Sequence, residues 1–453
     1  MTTDGPSTVQ RDHPTQGAPS GRTGELLRLA WPLMLSNLAY TAVGFTDTLY
    51  MGRLGVTEVG AVGLASLCVF ALTLLFRSSL NTAATFVARA LGAGDHSKIR
   101  RWAGLFLTLS LVGVPLGLAG PWLADGALTL LGPAPDIARV ARVYARISLA
   151  GTPLVLLGAA SLAIMLGLGN TRTPMVLSWM VMVVNAGLAA LFVFGFGWGV
   201  AGAAWASVIV VSVQGALAFI LLLRQYSPLY GRLWFVRPQG TELRAVARIS
   251  LPAGLSELAD VAAFTAFLGL ISRLGPTALA ASQIANQFAS FGFLPAFALS
   301  ASTSSLLSRA LGAGRPDLAT KIGWRGAAVA AGFMGLLALA FLLFPRALIA
   351  LFNRDPEVLR LGVSVLTVMA AYQVLDGVNI VLGGALSGAG DTRFRLFVTL
   401  PGAWLIMVGG AALVIPRYGV AGAWSAALVY LVLLASLFTW RFWSGRWKHK
   451  TLT

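Results

Sequence analysis

The chain has 453 residues, 57% hydrophobic and 11% charged, with a mean hydropathy of +0.79. No soluble domain carries that much apolar surface, so the composition points to an all-α polytopic membrane protein. One cysteine, Cys68, and three histidines, His13, His96 and His449, all outside the predicted spans, argue against a disulfide, a thiolate metal cage or a histidine-ligated metal. The formal charge of +17 would suit nucleic acid, but the bases collect in alternate loops, the positive-inside pattern of a bilayer protein, so no nucleic-acid partner is expected.

In chain order, residues 1–23 are polar, carry Pro, Gly, Ser and Thr, and lack an apolar core; they read as a disordered cytoplasmic tail and not as a cleavable signal peptide. Twelve helical spans are predicted. Six lie near 26–50, 58–88, 102–123, 139–167, 174–196 and 199–223, and six near 246–272, 277–308, 322–344, 358–386, 395–415 and 419–442. Each is long enough to cross a hydrocarbon core that needs about 20 residues. A closed barrel would instead show short alternating strands. The connector 225–243, running from Gln225-Tyr226-Ser227-Pro228 to Arg237-Pro238-Gln239-Gly240, is basic and rich in helix breakers and reads as a cytoplasmic linker. The expected units are therefore an N-lobe at 24–224, a C-lobe at 244–443 and a basic cytoplasmic tail at 444–453.

The second half repeats the first at an offset of 220 residues. Pro32 recurs as Pro252, Arg53-Leu54-Gly55 as Arg273-Leu274-Gly275, and Gly199-Val200-Ala201-Gly202-Ala203 as Gly419-Val420-Ala421-Gly422-Ala423. Arg89-Ala90-Leu91-Gly92-Ala93-Gly94 recurs as Arg309-Ala310-Leu311-Gly312-Ala313-Gly314, and Gly169-Asn170-Thr171-Arg172 as Gly390-Asp391-Thr392-Arg393 with a slip of one residue. With both ends in the cytoplasm, 23 bases fall towards the inside and 9 towards the outside, and Arg77 alone lies mid-span. Six spans per half make the repeats parallel, a plan typical of secondary transporters with a site between two lobes.

Of 16 acidic residues, four fall inside spans and away from their ends: Asp47, Glu257, Asp260 and Asp376. A carboxylate at bilayer depth costs roughly 2.5–3.5 kcal/mol on insertion scales, so it usually faces a cavity and has a task, such as exchanging a proton or ligating Na⁺. Helical spacing gives each acid polar company. Asn37, Tyr40, Gly44 and Asp47 share a face of the first span, Glu257 and Asp260 lie a turn apart in the seventh, and Gln373, Asp376 and Asn379 make a stripe in the tenth. Gln283, Asn286 and Gln287 do the same in the eighth, and Asn185 and Gln214 mark the fifth and sixth. Plainer readings stand beside these. Asn185, Gln214 and Asn286 could simply glue helices together. Asp47 could be the counter-ion of Arg77, and Glu257 could sit in water at the cytoplasmic end of its span.

On these motifs the chain resembles the multidrug and toxic compound extrusion (MATE) family over roughly 26–443, with its C-lobe similar to NorM-type members. The resemblance is carried by Asp47-Thr48 with Met51-Gly52-Arg53-Leu54-Gly55, by Arg89-Ala90-Leu91-Gly92-Ala93-Gly94, by Gly169-Asn170-Thr171-Arg172-Thr173-Pro174, by Ala281-Ser282-Gln283-Ile284, and by the run from Gly383 to Arg393. It implies a twelve-helix antiporter exporting organic cations in exchange for inward H⁺ or Na⁺. It also implies that Asp47 matches the first-helix aspartate and Gln373 and Asp376 the tenth-helix pair. The seventh-helix glutamate of NorM types, eight residues after a proline, is here Asp260. An aspartate that another branch carries four residues after Asn185 is here Ala189.

These readings combine into an inner-membrane antiporter, expected to be monomeric, whose cleft is lined by spans 1, 2, 7, 8 and 10. Asp47, Glu257, Asp260 and Asp376 would couple H⁺ or Na⁺, with Na⁺ at Asp260 and Asp376 as one form of that coupling. Asn37, Tyr40, Arg77, Asn185, Gln283, Asn286, Gln287, Gln373 and Asn379 would line the substrate path. Lipophilic cations would be held by aromatic area and cation–π contact. No cofactor is called for. Two alternatives remain: a flippase for lipid-linked precursors, whose anionic cargo would want several cavity bases, and a membrane-embedded enzyme, which would need a nucleophile–base or metal constellation.

Overall fold

The computed structural model describes residues 19–451, and all regular structure among them is helical. Most of the expected 1–23 tail thus lies outside the described residues. The first half comprises α1 (Thr23–Leu54), α2 (Val56–Asn81), α3 (Ala83–Gly92), α4 (His96–Ser110), α5 (Gly113–Leu131), α6 (Pro135–Ala150), α7 (Thr152–Gly167), α8 (Arg172–Ala190) and α9 (Gly199–Tyr230). The second comprises α10 (Gly240–Ser272), α11 (Pro276–Gly312), α12 (Pro316–Leu343), α13 (Pro345–Ala350), α14 (Pro356–Ala389), α15 (Thr392–Pro401) and α16 (Gly410–Trp443). Short π-helical turns at Leu191–Gly195 and Gly402–Gly409 follow α8 and α15.

By length and hydropathy, nine helical stretches among the described residues can cross a bilayer, or ten when the bent pair α6–α7 is one span. The count falls short of the expected twelve at two places. Helix α1, which carries Asn37, Asp47 and Arg53, is not among them, and Thr392–Trp443 registers as one stretch of 52 residues. That stretch folds back on itself. Gly419 leaves helical geometry at φ 57°, ψ −141°. A β-carbon on Gly402 would stand 3.0 Å from Tyr430, and one on Gly410 3.3 Å from Ala426, so the two arms run antiparallel.

The two halves meet at the end where the bases gather. At the crossing of α3 and α11 the repeated Arg-Ala-Leu-Gly motifs pack backbone to backbone. A β-carbon on Gly92 would lie 1.9 Å from the Arg309 carbonyl oxygen, and one on Gly312 2.0 Å from that of Arg89. Only glycine permits this approach, the usual means by which membrane helices pack closely. Nearby, the hydroxyls of Thr82 and Ser250 are 2.7 Å apart and Ser305 Oγ donates to the Leu166 carbonyl at 3.0 Å. At mid-depth Asn37 Nδ2 donates to the Leu294 carbonyl at 3.3 Å.

The connector is shorter than the expected 225–243. Helix α9 runs on through Pro228 and stops only at Gly231, whose φ of 85° suits glycine. The remaining 231–239 segment docks on α4: Val236 N donates to Thr108 Oγ1 at 2.9 Å, and Arg101 Nη2 donates to the Arg237 carbonyl at 2.9 Å. The basic 444–453 tail is likewise anchored as far as it is described. Trp447 is buried and stacks on Phe442 with ring centres 4.7 Å apart. Asp391, buried at the start of α15, accepts from Arg441 at 2.7 Å and faces Lys450 at 3.6 Å. Breaking so buried a pair strands a charge, a loss of roughly 3–5 kcal/mol.

Candidate functional site

The intramembrane acids divide between two sites, one in each lobe. In the N-lobe, Asp47 points from α1 towards α8 and α9. Asn185 Nδ2 donates to Asp47 Oδ1 at 3.1 Å, and the Ser207 hydroxyl lies 3.4 Å from Asp47 Oδ2 and 3.2 Å from Asn185 Oδ1. Two turns earlier on α1, Tyr40 pairs with Gln214 of α9, whose Nε2 donates to the tyrosine oxygen at 2.7 Å. The helical spacing of Tyr40 and Asp47 thus puts both on the face that meets α9. Asp47 makes no ion pair with Arg77 among the described residues. Arg77 is exposed on α2, and Asn185 and Ser207 occupy the carboxylate instead.

In the C-lobe, Glu257 and Asp260 of α10 and Asp376 and Asn379 of α14 open into one cavity of about 440 Å³. One turn of α10 separates the first two, and the Gln373-Asp376-Asn379 spacing turns the second pair to the same side. The Tyr430 hydroxyl, from α16, donates to Asp260 Oδ1 at 2.8 Å, and Asn379 Nδ2 lies 3.4 Å from Asp376 Oδ1. Phe293 and Phe297 of α11 and Phe438 of α16 supply aromatic wall, and Arg395 of α15 enters beside Thr399. Asp376 is 6% exposed, and the Asn379 Oδ1 oxygen is buried without a hydrogen bond. That oxygen and the carboxylates form a set of hard acceptors suited to a proton or a small cation. The acids share the cavity without converging on one point: no group of three His, Cys, Asp or Glu among the described residues is placed to hold a metal ion.

The remaining predicted residues lie elsewhere. Gln373 is fully buried, with Nε2 3.3 Å from Met334 Sδ, and packs α14 against its neighbours. Gln283 and Gln287 are exposed on α11, Asn286 is half-buried, and none of the three lines either described cavity. The second cavity, about 570 Å³, lies at the basic end among Arg28, Arg172 and Arg309, away from the four acids. Of the spans expected to line the cleft, 7, 8 and 10 (α10, α11 and α14) line the C-lobe cavity, joined by α15 and α16, whereas spans 1 and 2 contribute nothing to it. The acids are held by α1, α8 and α9 in one lobe and by α10, α14, α15 and α16 in the other.

Sequence reasoning missed Ser207, Tyr430 and Arg395. A serine and a tyrosine in apolar helices carry no distinguishing pattern. Arg395 lies in the first turn of α15, near the basic end, yet its long side chain reaches the cavity, so Arg77 is not the only base at depth among the described residues. The repeat offered one clue. With Gly169 set against Gly390, Arg395 falls opposite Pro174, a position that in the N-lobe carries no charge.

A family profile described as MatE matches residues 32–191 and 252–412, one copy per lobe at the 220-residue offset of the repeat. The chain belongs to the MatE family. Among curated MatE relatives, it is 29% identical to a probable multidrug resistance protein NorM of Brucella suis over 92% of each chain. It is also 29% identical to multidrug resistance protein PmpM of Pseudomonas aeruginosa, over 84% of this chain and 81% of that one. Among solved structures, an outward-facing multidrug resistance MATE transporter of the MOP superfamily superimposes with a TM-score of 0.87 at 20% identity, covering 96% of this chain and all (100%) of the other. A MOP superfamily transporter from Pyrococcus furiosus, for which reversed polarity of the binding pocket suggests a different function, superimposes at 0.86 with the same identity and coverage of 96% and 100%. This MatE chain is accordingly a multi-pass membrane transporter of the multidrug efflux family, with the two-lobe repeat architecture.

Proposed function

We propose that the protein is a secondary antiporter of the bacterial inner membrane that exports lipophilic organic cations in exchange for inward H⁺ or Na⁺, with both termini in the cytoplasm. One observation carries this reading: three carboxylates and several aromatic rings line one cavity at membrane depth. Ionised acids supply counter-charge to a bound organic cation, and the rings supply area and cation–π attraction. A proton, or Na⁺ at Asp260 and Asp376, cancels that charge and releases the cargo. Drug and coupling ion then oppose one another through a shared site or through the lobes. Asp47, with Asn185 and Ser207, forms a second titratable site in the N-lobe. The exposed Gln283 and Gln287 fit the wall of a wet cleft, because polar side chains avoid lipid. Three acids against one arginine in the cavity weigh against the anionic cargo of a lipid-precursor flippase.

Ethidium transport in everted vesicles tests the proposal. Imposing ΔpH or a Na⁺ gradient is expected to drive ethidium into the vesicle lumen, and transport indifferent to both gradients would defeat it. The role of Asp47 has its own test in the same assay. Arg77→Gln should keep close to the parent rate and Asp47→Asn should lose about tenfold, within the usual range of an energetic coupling. If the double variant Asp47→Asn with Arg77→Gln recovered transport, Asp47 would be a counter-ion and not a coupling group.

A further inference from the structure

The C-lobe cavity holds a charge that a cation transporter does not need for binding cargo. Arg395 stands within α15 on the basic side of the acids, and its guanidinium shares the cavity with Glu257, Asp260 and Asp376. A guanidinium does not give up its proton in proteins, so this charge is permanent. It nevertheless makes no ion pair within 4.0 Å of any of the three acids. Its Nη1 donates instead to the Ser387 hydroxyl, a neutral partner on α14, at 3.3 Å. By contrast, Arg441 and Arg101, also part-buried, lie directly on carboxylates, at 2.7 and 2.6 Å.

From this geometry we infer that Arg395 is a resident counter-ion of the C-lobe acids, a positioning residue that weakens cation binding in the cavity and takes over the carboxylates as the coupling cation leaves. The inference rests on the antiport reading. The groups facing Arg395 are Glu257 and Asp260 from α10, Asp376 from α14, and the neutral Tyr430 hydroxyl from α16; α11 contributes Ser300 and rings but no charge. Three carboxylates and one guanidinium leave a formal charge of −2 when all are ionised. The cavity therefore still attracts cations, but less strongly than three bare acids would. A cation arriving on Asp260 or Asp376 repels the guanidinium towards Ser387. On its departure, the flexible arginine stem lets the same guanidinium approach Asp260, so the carboxylates are not left bare in a poorly hydrated site. A fixed cation on the basic side of the acids thus favours release of the coupling ion and keeps its affinity in a range where exchange can turn over.

The test uses the purified full-length chain in liposomes, with ethidium anisotropy for binding and ethidium exchange for turnover. Arg395→Gln is expected to bind ethidium about five- to tenfold more tightly, to need about five- to tenfold less Na⁺ or H⁺ for half-displacement, and to turn over more slowly. Arg395→Lys, which keeps the charge, should stay close to the parent in all three. Unchanged ethidium affinity in a monodisperse Arg395→Gln protein would overturn the inference. So would an Arg395→Lys protein that behaves like Arg395→Gln, because shape and the Ser387 bond would then matter and charge would not. If neither ion displaces ethidium from the parent protein, the antiport reading fails separately. Tighter ethidium binding by Arg395→Gln would then still establish the resident charge.

Discussion

Asp376→Asn should lower ion-driven ethidium transport by roughly 100-fold, the upper range of a two-site coupling, while leaving the protein folded in the membrane. The two side chains are nearly identical in shape, so the packing of α14 should survive the change. What disappears is a charge held at 6% exposure, with one long hydrogen bond from Asn379 at 3.4 Å and no arginine or lysine paired to it. Burying a carboxylate on those terms is costly, and a packing role does not require it. The variant should still bind ethidium, more weakly, but H⁺ and Na⁺ should displace it poorly. Parent-like rates at matched expression would reduce Asp376 to a structural residue and move coupling to Asp260 or to the N-lobe.

The second large effect is expected at the lobe crossing. Gly92→Leu or Gly312→Leu should abolish most transport although neither residue is near the acids. Each introduces a side chain where even a β-carbon would overlap a backbone carbonyl of the other lobe, at 1.9 and 2.0 Å respectively. Backbone cannot step aside as a flexible side chain can, so the basic end must part. Because the two lobes meet at that end, the variants should favour a state in which it is open. The measurement is cross-linking between cysteines at Ala93 and Ala313, which flank the crossing, in a background lacking Cys68. Efficient cross-linking in the parent should fall severalfold in either leucine variant. Unchanged cross-linking together with unchanged transport would show that the crossing is not a moving seam. The near-equal distances at Gly92 and Gly312 predict that the two substitutions act alike, as the repeat requires.

The same repeat shows why some of the site was legible and some was not. In the 220-residue register Asn37 falls opposite Glu257 and Tyr40 opposite Asp260, so polar positions recur although their chemistry does not. Helical spacing correctly grouped Asp47 with Tyr40, and Asp376 with Asn379, because periodicity determines which residues share a face of a helix. It could not tell which neighbouring helix that face would meet. Hence Asp47 was weighed against Arg77, when its partners are Asn185 and Ser207 from α8 and α9. Gln373 lies in the same stripe as Asp376 but is buried against Met334, outside the cavity lining.

By itself the sequence determined the membrane class, the helical fold, the duplication and its parallel sense, and the four intramembrane acids. Hydrophobic length, charge placement and repeat spacing are properties of the chain read along one dimension, and the bilayer acts on them directly. Only the tertiary structure decided that the acids lie in two lobes, that α8, α9, α15 and α16 complete their sites, and that Tyr430 and Arg395 share the C-lobe cavity. It also decided where helices end. Gln225–Tyr230 extends α9 instead of forming linker, and the 444–451 segment is pinned by Trp447 and Asp391. These outcomes depend on contacts between residues far apart in the chain. Their energies come from fitting one helix surface against another, and no local pattern in the sequence encodes that fit.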